Sequence, residues 1–394
     1  MKIPYVAVRE SLPADLPQNI GEKTWNYTGI NTLEVPCNIF IYLRDLIQFP
    51  IVSYHEPLSF LQKLCEQFEY SELLDQANEL SDPLLRMAYT IAFVISGYHT
   101  TSRRLTKPLD ALLGETYEFS SEDNNNFKFV AEQTSVEPPV TVYYGSSDHF
   151  EVNGSICMKT EFLGKCVEVK LEGKNEIRLK KSGDVYVFTR PITSLDHILT
   201  GKYCINNYGE MRFKNLKTQE NATVSLLKRS WDEKSVNRLE GYIKDNKGQF
   251  VYKVSGKWDE EISIEHLQTK ESRLIWRKKM LDTAEKNFGF TKLALQLNHL
   301  HNDIVDQLPQ TDSRFRPDVR AMENGDYELA STEKRRLKEK EQKLVKVLKN
   351  NNTPYKPKWF DPVKVEEGAE RFFLFNGKYF KQKLNDLDTF DLYN

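Results

Sequence analysis

Cysteine is scarce in this sequence, and its spacing fits neither a disulfide framework nor a metal site. The 394-residue chain has five cysteines, at positions 37, 65, 157, 166 and 204, and no C-x-x-C pair. Disulfide-rich domains carry an even number of closely spaced cysteines, and structural zinc sites need Cys or His ligands at short intervals. The sequence therefore favours a protein of a reducing compartment, which we expect to be the cytoplasm.

Long apolar segments are missing as well. The longest, "LLRMAYTIAFVISGY", contains Arg86 and is shorter than the roughly 20 apolar residues that cross a bilayer as a helix. The N-terminus, "MKIPYVAVRESLPADLPQN", lacks the apolar core of an export signal, so the glycosylation sequons at Asn26, Asn153 and Asn221 indicate little. We therefore expect no membrane-spanning segment.

No catalytic or nucleotide-binding motif is visible. The seven histidines are scattered outside metal-ligand spacings such as H-E-x-x-H, and the chain has no G-x-S-x-G elbow, P-loop or G-x-G-x-x-G loop. The 55 basic and 57 acidic side chains nearly cancel, so no overall field attracts nucleic acid. The sequence thus predicts a protein that is not an enzyme, holds no cofactor or metal and binds no nucleic acid.

The apolar residues, 39% of the chain, suffice for a large core, and in residues 56–112 they recur at helical spacing. Pro57 opens one such segment at a first-turn position. Asp82 and Pro83 provide the N-cap and first turn of a second one, "SDPLLRMAYTIAFVISGY". This second helix is apolar on nearly all sides, so we expect it to lie inside the core.

Strands are predicted in the middle of the chain. Residues 113–265 alternate with a period of two between turn signals, as in "VEVKLE" and "DVYVFTR", and helical spacing returns in residues 266–394. With an N-terminal arm of residues 1–55 and the helical segment 56–112, this gives four segments of one domain. The class is α+β, mainly β, because many successive antiparallel strands predict a sandwich or a barrel, and a large barrel can enclose an apolar ligand.

A short amphipathic helix is predicted inside the N-terminal arm. In "NIFIYLRDLIQ" (38–48) the residues Ile39, Tyr42, Leu43 and Leu46 share one face. Two interpretations are open: an ordinary packed helix, or a mobile cover over an apolar cavity.

A long basic helix is predicted near the C-terminus. Residues 333–349 carry eight basic and three acidic side chains, a local net charge of +5. Such a helix either presents a solvated face or lies on an anionic membrane, where each cation contributes about 1 kcal/mol.

The stretch "EQTSVEPP" (132–139) is one of several blocks that match a known pattern. Other blocks follow in order between residues 56 and 360, among them "KPLDALLGETYE", "LTGKYCINNYGE", "TDSRFRPDVRAMENGD" and "KPKWF". Together they resemble the lipid-binding domain of the oxysterol-binding protein-related family, whose signature is EQVSHHPP. The chain is identified as a divergent member in which the two signature histidines are replaced.

The resemblance implies an incomplete antiparallel β-barrel with an apolar tunnel, flanking helical subdomains and an N-terminal lid, which the helix at 38–48 would form. It places Tyr98 in the tunnel. Members carry one lipid per domain, commonly a sterol, and many exchange it for phosphatidylinositol 4-phosphate. The connection after the predicted lid is shorter than in relatives, and we expect a stand-alone form without a preceding pleckstrin-homology or ankyrin module.

The family binds the phosphate headgroup at the tunnel mouth. It uses the Lys and Asn of K-P-x-N, the two signature histidines, and a Lys, a Glu and an Arg at four-residue steps on the charged helix. The corresponding positions here are, in chain order, Lys107, Asp110, Val136, Glu137, Lys334, Lys338 and Gln342. Only Lys107 and Lys334 keep the family's residue.

These replacements predict weak phosphoinositide binding. Two imidazoles and a guanidinium are lost, and Asp110 and Glu137 add carboxylates. Each charge-assisted hydrogen bond to phosphate contributes about 1.5–3 kcal/mol, so two or three losses would weaken binding by roughly 10² to 10⁶. Glu137 replaces a histidine of the family and Lys338 replaces its Glu, so the carboxylate and the cation would exchange places and keep the charge balance of the site. The other interpretation is neutral drift in a degenerating copy.

The sequence therefore predicts a protein of lipid binding and transfer that contacts anionic membrane surfaces transiently. Its ligand would be a sterol or another apolar lipid in the tunnel, with phosphatidylinositol 4-phosphate exchange weak or lost. Two alternatives stay open: an exchanger of sterol and phosphoinositide that uses rearranged lysines, and a regulatory or interaction protein that moves no lipid.

Overall fold

The computed structural model describes residues 55–394 except 103, 105, 122–123, 197–203, 230–235, 280–287, 301, 364–371 and 382–391. The predicted lid helix, with Ile39, Tyr42, Leu43 and Leu46, lies outside the described residues. The described part is mainly β, as the sequence predicts, and contains one large antiparallel sheet with helices before and after it.

A strand and three helices precede the sheet. They are β1 (His55–Ser59), α1 (Phe60–Glu66), α2 (Glu72–Glu79) and α3 (Pro83–Ser96). Pro57 therefore lies in a strand, and the prediction that it begins a helix is wrong. The helix begins one turn later because Ser59 and Gln62 form a capping box. The Gln62 side chain accepts a hydrogen bond from the Ser59 backbone N–H, and the Ser59 hydroxyl accepts one from a backbone N–H of the first helical turn.

One continuous sheet contains 14 strands. They are β3 (Thr116–Ser121), β4 (Phe127–Val136), β5 (Pro139–Ser146), β6 (Phe150–Phe162), β7 (Val167–Glu172), β8 (Asn175–Leu179), β9 (Val185–Phe188), β10 (Ile192–Asp196), β11 (Cys204–Asn215), β12 (Asn221–Leu226), β13 (Arg238–Lys244), β14 (Phe250–Lys257), β15 (Glu261–His266) and β16 (Ser272–Arg277). Neighbours pair in antiparallel fashion from β3 to β7, then through β10 to β16.

The sheet divides into two branches between β6 and β11. One branch passes through β7 and β10, and the other passes through β8 and β9. Strand β6 pairs with β8 over residues 150–154 and with β7 over residues 157–162, so its two halves belong to different branches. We call the connectors where the branches separate, residues 173–174 and 189–191, the fork.

Helix α3 lies inside the curl of the sheet. Asp82 caps it by accepting a hydrogen bond from the Leu84 backbone N at 2.9 Å, as predicted, and Pro83 is its first residue. Eleven of its 14 residues are buried, and it packs against β13 and β16. On another side Phe93 and Val94 share a cavity with residues of β5, β6 and β9. An all-round apolar helix is thus enclosed by strands, as its sequence predicts.

The C-terminal part returns to helices. Its elements are α4 (Ala294–Leu297), α5 (Asn302–Val305), α6 (Pro317–Glu323), α7 (Tyr327–Asn350), β17 (Phe360–Val363) and β18 (Phe372–Phe375). A short strand, β2 (Lys107–Leu109), pairs in parallel with β1. None of the described helices combines the length and apolarity that crossing a bilayer requires.

The buried apolar side chains of the described residues form one large cluster and three smaller ones. The large cluster extends from Leu58 in β1 to Leu297 in α4, and the smaller clusters contain buried apolar residues of α6, α7, β17 and β18. The predicted four-segment division at residues 55, 112 and 265 stays a prediction.

Candidate functional site

The mouth positions assemble where the β1–β2 pair meets helix α7. His55 lies opposite Lys107 in the register of β1 and β2, and Lys334 Nζ lies 3.2 Å from His55 Nε2. Asp110 follows directly after β2, and its backbone oxygen accepts a hydrogen bond from Arg316 Nη1 at 2.9 Å. We call His55, Lys107, Asp110 and Lys334 the basic cluster.

The charges of the basic cluster shift the pKa values of its members. Burial and the neighbouring charge of Lys107 lower the pKa of Lys334 to about 7, although Asp110 opposes this shift. Desolvation acts to raise the pKa of Asp110, but the charges of Lys107, His55 and Lys334 outweigh it and lower that pKa below its usual value. At neutral pH the cluster therefore holds an ionised carboxylate beside a lysine that is about half protonated.

Lys334, Lys338 and Gln342 follow at four-residue steps on α7 and thus share one helix face. The ammonium of Lys338 pairs with Glu341 at 2.5 Å. Glu341 is buried and also accepts a hydrogen bond from the Leu113 backbone N at 2.9 Å. Glu341 was not predicted as a site residue, although its three-residue distance from Lys338 is a typical helical ion-pair spacing.

Val136 and Glu137 lie at the turn between β4 and β5, where the Glu137–Pro138 peptide bond is cis. The carboxylate of Glu137 pairs with Lys349, and this ion pair lowers the pKa of Glu137. Lys349 is 15 residues beyond Lys334, about 22 Å along the helix axis. The direct ionic partner of Glu137 is therefore Lys349. The charge of Lys338, which pairs with Glu341, also acts to lower the pKa of Glu137.

The retained Glu of the signature has a structural role. Glu132 is fully buried and accepts hydrogen bonds from Tyr355 Oη and the Lys358 N at 2.9 Å and from the Trp359 N at 3.1 Å. Burial raises the pKa of Glu132. This carboxylate thus links the segment "YKPKW" to the sheet and stabilises the fold.

A second polar group lies in the interior, at the fork. Arg190 donates from Nη2 to Tyr143 Oη at 2.9 Å and from Nε to Asn175 Oδ1 at 3.2 Å. Its Nη1 donates to Gln67 Oε1 at 3.1 Å and to Tyr98 Oη at 3.4 Å. Tyr98, the predicted tunnel residue, is buried in this group. Arg190 was not predicted, because a charged residue before a proline is typical of an exposed loop.

A cavity of about 20 Å³ adjoins this group. Its lining consists of Gln67, Phe68, Phe93, Val94, Tyr143, Val152, Phe188 and Arg190. That volume holds about one water-sized group. The absence of a side chain at Gly154 is required here, since a Cβ would stand 2.0 Å from Cε1 of the Tyr143 ring.

In the described part of the chain, no three His, Cys, Asp or Glu side chains are placed to share a metal ion.

Comparison with known proteins decides the family. The family model described as "Oxysterol-binding protein" matches residues 44–384. The chain belongs to the oxysterol-binding protein family. Oxysterol-binding protein-related protein 6 of Homo sapiens is 35% identical over 377 residues, which are 95% of this chain and 39% of that protein. The chain thus spans about two fifths of the length of this curated member of the family.

Solved structures of this oxysterol-binding protein family share the fold. The Osh1 ORD domain in complex with ergosterol superposes with a TM-score of 0.82 at 26% identity, over 96% of this chain and 93% of that one. The Osh3 ORD of Saccharomyces cerevisiae in complex with PI(4)P gives a TM-score of 0.74 at 26% identity, over 88% and 93%. The large, partly curled antiparallel sheet is consistent with the predicted incomplete barrel.

Proposed function

We propose that this chain binds a lipid inside its curled sheet and transfers it between membranes without enzymatic chemistry. The main ligand is a sterol or another apolar lipid, and exchange of phosphatidylinositol 4-phosphate is weak or lost. The sterol-bound Osh1 domain supports the ligand class. The exposed lysines of α7 support transient contact with an anionic membrane surface on the cytoplasmic side.

The composition of the mouth carries this proposal. Asp110 puts a carboxylate among the cations that a phosphate would need, and Lys334 has lost part of its charge at neutral pH. The signature positions supply Val136, which has no donor, and Glu137, which repels phosphate and is paired with Lys349. A headgroup would therefore meet fewer donors and more negative charge than in a mouth with the family's residues.

The exchanger alternative rests on His55. Its imidazole lies beside Lys334 and opposite Lys107, so it adds a possible phosphate donor that the family pattern does not include. The PI(4)P-bound Osh3 domain shows that the shared fold accepts this lipid in a relative. A protein that binds no lipid and acts through protein contacts is the third reading.

Rebuilding the mouth tests the proposal. The rebuilt variant combines five substitutions: Asp110→Asn, Val136→His, Glu137→His, Lys338→Glu and Gln342→Arg. Extraction of phosphatidylinositol 4-phosphate from liposomes should be weak for the natural chain and at least about tenfold stronger for the variant, a gain of about 1.4 kcal/mol. Sterol extraction should stay unchanged and serves as the folding control.

A matched control is Lys346→Glu, which makes the same charge change as Lys338→Glu on an exposed part of α7 two turns away. This control can weaken membrane contact for both lipids alike, but it should leave the ratio of phosphoinositide to sterol extraction unchanged. Strong phosphoinositide extraction by the natural chain would establish the exchanger in place of our proposal. If neither lipid is extracted and mass spectrometry finds none in the purified protein, the non-transporting reading holds.

A further inference from the structure

We propose that the fork holds a second ligand site, at which Arg190 binds the carboxylate end of a long-chain fatty acid whose hydrocarbon chain lies in the tunnel. This inference rests on the proposed function only in that the tunnel must admit a lipid. It adds a ligand class, an anionic single-chain amphiphile that enters carboxylate first.

The partners of Arg190 differ from those of the buried arginines. Four arginines in the described part of the chain are buried, and each pairs with a carboxylate at 2.6–2.8 Å: Arg86, Arg104, Arg314 and Arg316. Arg190 instead contacts an amide oxygen of Gln67, a second amide oxygen, and two phenols. Among the described residues, then, its charge is met by neutral acceptors alone.

A guanidinium in this setting is a receptor for an anion. It stays charged at any physiological pH, and a partly buried cation without an anionic partner is costly. Its planar donors fit the two oxygens of a carboxylate, and such charge-assisted pairs are stronger than bonds to neutral acceptors. The Arg190 bond to Tyr98, at 3.4 Å, is long, so an incoming carboxylate could replace it at small cost.

The cavity beside Arg190 has a lining that suits the end of such a ligand. Its volume of about 20 Å³ is that of one water-sized group, so one carboxylate oxygen fits it and a ring system does not. Burial raises the pKa of Tyr98, so the phenol keeps its proton and can donate it to a carboxylate. Next to these polar groups, Phe93, Val94 and Val152 line the same cavity and can contact the first methylene groups of a chain.

A sterol hydroxyl fits this position less well. A hydroxyl is neutral, as are the present partners of Arg190, so it would leave the positive charge uncompensated. A carboxylate adds the missing charge and two acceptor oxygens at once. The ligand for this site is therefore distinguished by charge, which a matched pair of probes can measure.

The experiment compares oleic acid with oleyl alcohol, which have the same chain and differ in the end group. Each is titrated calorimetrically into the delipidated full chain. The natural protein should bind one oleate at least about tenfold more tightly than the alcohol, a difference of about 1.4 kcal/mol. Arg190→Gln should remove this preference, and Arg190→Lys, which keeps the charge but loses the planar fork, should keep part of it.

Arg212→Gln is the matched control. Arg212 is exposed on β11 and pairs with Glu210, so the same substitution there should change neither affinity. Cholesterol binding is measured in parallel and should change less than about threefold in the Arg190 variants. If Arg190→Gln does not fold, Tyr143→Phe takes its place, and it should also reduce the preference for the acid.

Several results would overturn the inference. Equal affinity of the natural chain for the acid and the alcohol would do so. An unchanged preference for the acid in Arg190→Gln would also do so, and a lower melting temperature of that variant would then assign Arg190 a structural role at the fork. A parallel loss of cholesterol binding would assign the arginine to a hydroxyl ligand. Intact cholesterol binding without oleate preference defeats this inference alone, whereas failure to bind either lipid defeats the proposed function too.

Discussion

At the scale of single residues, Lys334 shows that a retained side chain can have altered chemistry. Its pKa of about 7 means that it gains charge as the pH falls from 8 to 6. Any residual extraction of phosphatidylinositol 4-phosphate should therefore increase over this range, by up to about tenfold. Lys334→Arg, which stays charged, should flatten the profile, with sterol extraction as the reference. The same pH dependence in Lys334→Arg would assign it to His55 or to the lipid.

The sequence predicted part of this site. Lys107, Asp110 and Lys334 were expected to meet, and the structure brings them into one cluster. His55 was missed because its position depends on the parallel pairing of β1 with β2, whose residues are about 50 positions apart in the chain. Arg190 was missed for a similar reason, since two of its partners come from the helical segment and two come from separate strands of the sheet. Local patterns carry no information on such distant contacts.

At the scale of elements, local capping chemistry decided which predictions held. The start of α3 was predictable because an aspartate and a proline both mark it. For α1 the proline at position 57 misled, because the capping box that starts at Ser59 determines the helix end. The strand limits of β7, Val167–Glu172, coincide with the alternating stretch "VEVKLE", since its bounds are set by turn residues on both sides.

The predicted lid helix at residues 38–48 can be tested as an element. Leu43→Asp would place a carboxylate on its apolar face, and burying this charge against lipid would cost several kcal/mol. Retention of sterol and its transfer between liposomes should both decrease. Arg44→Asp, on the polar face of the same predicted helix, is the control and should have little effect. Equal retention by the natural chain and Leu43→Asp would refute the lid assignment.

At the scale of the whole molecule, one buried ionic network joins the N-terminal elements to the segment before α4. Arg104 pairs with Glu56 of β1 and Glu66 of α1 at 2.6 Å and stacks 4.3 Å from the ring centre of Phe290. Burial acts to raise the pKa of Glu66, but Arg104 and Lys63 outweigh it and lower that pKa to about 2. The ionised carboxylate therefore stabilises the fold at neutral pH.

This shift predicts the acid sensitivity of the fold. Because the pKa of Glu66 is lower in the folded than in the unfolded chain, its stabilisation is complete above about pH 4.5 and is lost as the pH falls towards 2. Glu66→Gln should reduce the free energy of unfolding by about 3 kcal/mol at pH 7 and by less at pH 3. Denaturant titrations at both pH values measure this. The control is Glu79→Gln, which breaks an exposed ion pair with Lys181 and should leave the free energy of unfolding unchanged at both pH values. An equal loss at both pH values for Glu66→Gln would contradict the assignment.

The overall class was predictable because a long series of alternating strands has few stable arrangements. The division of the sheet was not, since the sequence of β6 is one uninterrupted strand of 13 residues and nothing in it marks the change of partner.

Because of that division, strands in different parts of the sheet are connected by different numbers of pairings. Among the described strands, β6, β7, β10, β11, β9 and β8 form a closed circuit of pairings, whereas β3 to β6 and β11 to β16 are simple lines. Opening one pairing in a line separates the sheet into two pieces, but opening one pairing in the circuit leaves every strand connected to the rest. The part of the wall that contains Arg190 is therefore the part where two strands can separate without dividing the barrel.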